Sequence, residues 1–136
     1  MSILGTPAGI FADLTLILQI AAFIILVIGV LHVKKKKFSN HYKMADIAVF
    51  LAILTFLWMS FSLINNFKAI IFNITAPTSL VVLIHFTLGL LALLSGLFFV
   101  FDRFIKKIRN SMRIVFLLWG AALLLGILLY TMFYLP

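Results

Sequence analysis

The chain has no cysteine and only three acidic residues among its 136. The first absence excludes disulfides, iron–sulfur clusters, thiolate metal sites and thiol redox chemistry within this chain. The second leaves too few carboxylates for a two-metal hydrolase. A Gly-rich phosphate loop, a His-Glu-x-x-His motif and a nucleophile elbow are missing too. In their place is apolar bulk: 65% of the residues are hydrophobic, 10% are charged and fifteen are phenylalanine. A soluble domain carries about 45–50% apolar and about 25% charged residues. An integral membrane protein is therefore expected.

The net charge of +8 invites a nucleic-acid reading, but its distribution argues otherwise. Ten of the eleven basic residues fall in two short regions between apolar runs: Lys34 to Lys37 with Lys43, and Arg103, Lys106, Lys107, Arg109 and Arg113. That is the pattern of cytoplasmic loops under the positive-inside rule, so lipids and not nucleic acid are the expected partners. Apolar runs of about 20 residues cross hydrocarbon as helices. Four are expected, over about residues 11–31, 43–63, 78–101 and 114–135 of one transmembrane domain. The first carries its charge after the apolar run, which argues against a cleaved signal peptide. Short loops make successive helices antiparallel. The expected fold is all-α: an integral membrane antiparallel four-helix bundle, multi-pass in the cell membrane, with both termini outside and the basic loops cytoplasmic.

Within that frame, His32 to Met44 reads as the first inner loop, with Asn40 capping a helix that opens near His41. Asp13 falls near an outer helix end, where a carboxylate reaches water. Asp46, three residues after Lys43, reads as half of an interfacial ion pair. Ala45, Ala48 and Ala52, followed by Thr55 and Ser62, form a smooth side for close helix contact. Asn65 to Lys68 is expected to end the second helix, and Pro77 to open the third. Asn73-Ile-Thr75 matches the glycosylation acceptor pattern, which matters only in a glycosylating lumen. Gly89, Ala92 and Gly96 share one face, where another helix or a flat ligand approaches closely. Tyr130 and Tyr134 suit an outer aromatic belt.

The cofactor to weigh is haem, because histidines inside a bundle supply axial ligands and glycines leave room for the ring. His85 is the one histidine within a span. Depth counting across antiparallel helices puts Gln19, Trp58 and Met59 near its level, and His32 and His41 on the order of 20 Å away along the membrane normal. A His85–Met59 haem, a five-coordinate haem and a plain polar cluster of His85 with Gln19 all remain open. His32 and His41, flanking one loop with Met44 nearby, form a second candidate metal or haem position.

Three segments carry a family resemblance. His41-Tyr-Lys-Met44, Leu83-Ile-His85 and Trp119-Gly to Gly126-Ile-Leu-Leu-Tyr130 resemble, in order and spacing, a small prokaryotic four-helix membrane family labelled domain of unknown function 420. The similarity covers about residues 30–134 and extends distantly to one half of haem A synthase-type bundles. It implies association with haem–copper oxidases or their assembly, with His41 and His85 as functional positions. Where such proteins commonly supply another histidine, this chain reads Arg109-Asn-Ser-Met112-Arg113. The resulting expectation is a small accessory or assembly subunit beside a respiratory membrane complex, packed against other membrane subunits or its own copies. Haem-binding electron transfer or haem handling, and an oligomeric ion or small-solute pathway, are the alternatives. Whether the chain is an enzyme is left open.

Overall fold

The computed structural model describes residues 3–101 and 109–135. Four helices follow in order: α1 (Ile10–Lys34), α2 (Phe38–Phe72), α3 (Pro77–Phe101) and α4 (Arg109–Tyr134). Each is long and apolar enough to cross a membrane. They form an up-down bundle in which α1 packs closely on α2 and α3 on α4, with slighter contact between the two hairpins. The α1–α2 turn marks the lysine end of the bundle; the other is the terminal end. The expected loop at Asp102 to Lys107 lies outside the described residues.

The lysine-rich stretch is more helical than a loop reading predicts. Only Lys35, Lys36 and Lys37 separate α1 from α2. Lys36 has φ 58°, the left-handed region. Its N–H donates to Val33 O at 2.9 Å, and Lys37 N–H donates to His32 O at 2.9 Å. Those two bonds make a Schellman motif, which satisfies carbonyls orphaned at the helix end. Because α2 opens at Phe38, Asn40 sits inside the helix and caps nothing.

At its far end α2 continues through Asn65 to Lys68 and stops at Phe72, which corrects the expected terminus. Asparagine is only a mild helix breaker. Here Asn66 turns its amide back to Ser62 O at 2.9 Å, a bond compatible with the helix. No glycine or proline intervenes before Pro77, which opens α3 as expected.

The core is built from small residues. Ala22, Ala48, Val49, Ala92, Leu93 and Trp119 cluster at the centre, so the alanine side of α2 does serve close helix contact. Most large apolar side chains instead face outward, as lipid permits. Across the two hairpins, Phe23 stacks on Phe116 with centroids 5.3 Å apart, and Phe56 on Phe86 at 5.2 Å.

Candidate functional site: a polar floor around His85

His85 lies eight residues into α3, about 12 Å from its first residue. It is buried, and its Nδ1 lies 2.9 Å from Ala122 O on α4. A carbonyl oxygen only accepts, so Nδ1 carries the hydrogen and Nε2 of the neutral ring presents a lone pair. Gln19 of α1 reaches the same level, and its Nε2 donates to Met59 Sδ of α2 at 2.9 Å. Gly126 of α4 completes the group: a Cβ there would lie 2.8 Å from Gln19 Oε1 and 3.1 Å from His85 Cε1. The fold thus gathers His85, Gln19 and Met59 from three helices, beside a glycine that leaves room for them. Trp58 borders the same space and stacks on Phe11 with centroids 4.4 Å apart.

Toward the lysine end of this floor is an apolar cavity of about 80 Å³ in the seam between the hairpins, lined by Phe23, Phe56, Phe86 and Gly89. Trp119 closes it, donating Nε1–H to Ala92 O at 2.8 Å. Gly96 makes room for that indole: a Cβ there would stand 3.2 Å from Trp119 Cζ2. The small-residue face of α3 therefore receives a helix at Ala92 and Gly96, while Gly89 opens on the cavity. Beyond Trp119 lies a second cavity of about 90 Å³, lined by His41, Tyr42, Asp46 and Met112.

Toward the terminal end the helices splay into a funnel with two lobes, of about 390 and 650 Å³. Both lobes share Met59, Ser62, His85, Leu129, Phe133 and Tyr134. The funnel walls are apolar at mid-height, and Asn66, Asn73 and Thr78 stand nearer the rim.

The remaining candidates lie apart from this floor. His41 is buried against α1 with Nδ1 3.0 Å from Gly29 O, and a Cβ on Gly29 would stand 3.1 Å from Met44 Cβ. Trp119 separates the cavity of His41 from that of His85. His32 bonds its own helix, with Nδ1 2.8 Å from Ile28 O. The structure brings Met59 to His85 and leaves His41 and His32 at the lysine end. Among the described residues, no cluster of three His, Asp or Glu side chains is placed to hold a metal ion.

Haem fits this geometry poorly. Pockets that hold even drug-sized ligands measure about 300–1,000 Å³, several times the seam cavity of about 80 Å³. The funnel has the volume, yet among its described lining residues there is no lysine or arginine to meet two propionates.

One cluster escaped the sequence reading. Asp13 was expected to reach water, but it is 0% exposed. Its Oδ2 accepts from Ile3 N–H at 2.6 Å and Leu4 N–H at 3.0 Å, and Oδ1 accepts from the Tyr130 hydroxyl. Tyr130 is thus turned inward, not spread in an aromatic belt, and it also meets Thr6 Oγ1 at 2.7 Å. The cluster binds the segment before α1 to the terminal end of α4. A lone aspartate near a helix start carries no signal of a tyrosine 117 positions later.

No family model, no curated protein and no solved structure matches this chain. What stands is the class the fold itself defines: a small, multi-span, all-helical membrane bundle. The resemblance to the domain of unknown function 420 family, and through it to haem–copper oxidases, gains no support from these comparisons.

Proposed function

We propose that this protein is an accessory or assembly subunit of a larger membrane complex. The observation that supports this reading is the length of α2. Its 35 residues rise about 52 Å, against about 30 Å of hydrocarbon and 40–45 Å of whole bilayer. The exposed ridge Phe50, Leu54, Leu57, Phe61 and Ile64 is interrupted by exposed Lys68, and apolar side chains resume beyond it at Ile71 and Phe72, with Phe72 85% exposed. Large apolar side chains exposed beyond the hydrocarbon, past a charged residue, call for cover by protein. Another membrane subunit laid along α2 provides it. The respiratory setting rests on the sequence resemblance alone.

The reading is tested by affinity purification from native membranes in mild detergent. The expected result is a stoichiometric membrane partner that is lost when Ile64, Ile71 and Phe72 are all changed to serine. A monodisperse single chain with no partner, or retention of the partner by the triple variant, overturns it. The same material distinguishes the haem-handling alternative, since a Soret band that disappears in His85→Ala would establish it.

A further inference from the structure

We infer that the funnel is a binding site for an uncharged amphiphile bearing a ring hydroxyl, whose one hydrogen is taken at the floor by the neighbouring acceptors His85 Nε2 and Gln19 Oε1, singly or shared. This goes beyond the accessory-subunit reading and does not depend on it. His85 spends its Nδ1–H on Ala122 O, and Gln19 gives one of its two amide hydrogens to Met59 Sδ. That leaves His85 Nε2 and Gln19 Oε1 as acceptors, with one Gln19 amide hydrogen beside them. Among the described residues, neither Nε2 of His85 nor Oε1 of Gln19 meets a donor.

The two acceptors converge. Both stand within 3.7 Å of the position a Cβ on Gly126 would take, and both line the same lobe of the funnel. His85 is only 5% exposed, so a lone pair there is not simply dissolved in bulk solvent. Neither acceptor atom is sealed off, since among the described residues the fully buried side-chain polar atom without a partner is Ser60 Oγ; both open on the funnel. Two such acceptors side by side, at the base of a ligand-sized funnel, select a partner that donates.

The walls define the rest of the ligand. The lining residues of both lobes include no Asp, Glu, Lys or Arg among those described, so neither a carboxylate nor an ammonium finds a counter-charge. Between floor and rim stand Met59, Phe86, Leu129 and Phe133, which favour a ring or an alkyl chain. A phenol with an apolar substituent matches this sequence of polar floor, apolar wall and open mouth. Its methyl ether keeps the shape and loses the donor. Sites built to hydrogen-bond a hydroxyl discriminate strongly against analogues that lack it.

The test uses the full chain in lipid nanodiscs, with Trp119→Phe so that Trp58 at the funnel wall is the sole indole. 4-Pentylphenol and 4-pentylanisole are titrated against its fluorescence, with partition into empty nanodiscs subtracted. Saturable binding of the phenol at least tenfold tighter than the ether is expected. That preference should vanish in His85→Ala, and in Gly126→Ala, whose methyl enters the space between the acceptors; circular dichroism checks that each variant is folded. Gln19→Leu, a second route to the same loss, keeps the test decisive if His85→Ala does not fold. Equal binding of phenol and ether, no saturable binding of either, or a preference that survives in folded variants overturns the inference.

Discussion

At the residue scale, every histidine in this chain does the same first thing: it donates Nδ1–H to a backbone carbonyl, of Ile28, Gly29 or Ala122. What distinguishes His85 is the setting of its other nitrogen, which lies beside Gly126 and Gln19. Asp13 makes the same point. Its identity suggests an interfacial charge, yet it is buried beneath two backbone N–H groups and the Tyr130 hydroxyl. Removing a partner from a buried charge-assisted hydrogen bond costs about 1–3 kcal/mol. Asp13→Asn, with one acceptor oxygen in place of two, is expected to destabilise the bundle by about that amount. Tyr130→Phe should cost less alone, and the two changes together should cost clearly less than their sum. Thermal unfolding of the four proteins in detergent measures this cycle; strict additivity would show that the two side chains act independently.

At the element scale, the informative departures are the two ends of α2. The lysine turn was legible as an interruption of apolar sequence, but its three-residue form was not, because the usual sign of a left-handed cap is glycine. Here a lysine occupies that conformation, with φ 58° at Lys36. A left-handed conformation costs a non-glycine residue about 1–2 kcal/mol. Lys36→Gly is therefore expected to stabilise the α1–α2 hairpin by about 0.5–1 kcal/mol, the penalty being partly offset by glycine's greater unfolded-state entropy. A raised unfolding midpoint in detergent is the check, and an unchanged or lower one counts against the Schellman turn. At the other end, the polar run Asn65 to Lys68 resembled a stop. It failed to be one because asparagine side chains bond back to the preceding turn as readily as they leave the helix. The extra turns wall the larger lobe of the funnel with Asn66, Ala69 and Ile70.

At the scale of the whole molecule, the bundle is two tight hairpins joined over a loosely filled seam. The seam cavity and the funnel floor both draw their lining from each hairpin. Trp119 divides the interior, leaving His85 with the terminal end and His41 with the lysine end. By the positive-inside rule the lysine end is expected on the cytoplasmic face. The absence of cysteine makes this directly measurable. In intact cells, a membrane-impermeant maleimide is expected to label Ile74→Cys, in the α2–α3 turn, and to spare Ser39→Cys, beside the lysines, until the cells are permeabilised. The reverse pattern would invert the topology.

Four spans, their antiparallel order and the basic character of two connections were determined by the sequence alone. Hydrocarbon tolerates only long apolar helices and expels clustered charge, so these features are written in composition and spacing. Depth counting also brought Gln19 and Met59 to the level of His85, because an α-helix rises evenly. Side-chain direction is different, for it depends on which neighbour each helix face meets. Only the tertiary structure decided that Asp13 and Tyr130 join, that Trp119 walls off His41, and that Gly126 leaves room for Gln19 Oε1 and the His85 ring beside one open funnel. Each of those arrangements is a contact between separate helices, set by packing between faces whose pairing no local pattern specifies.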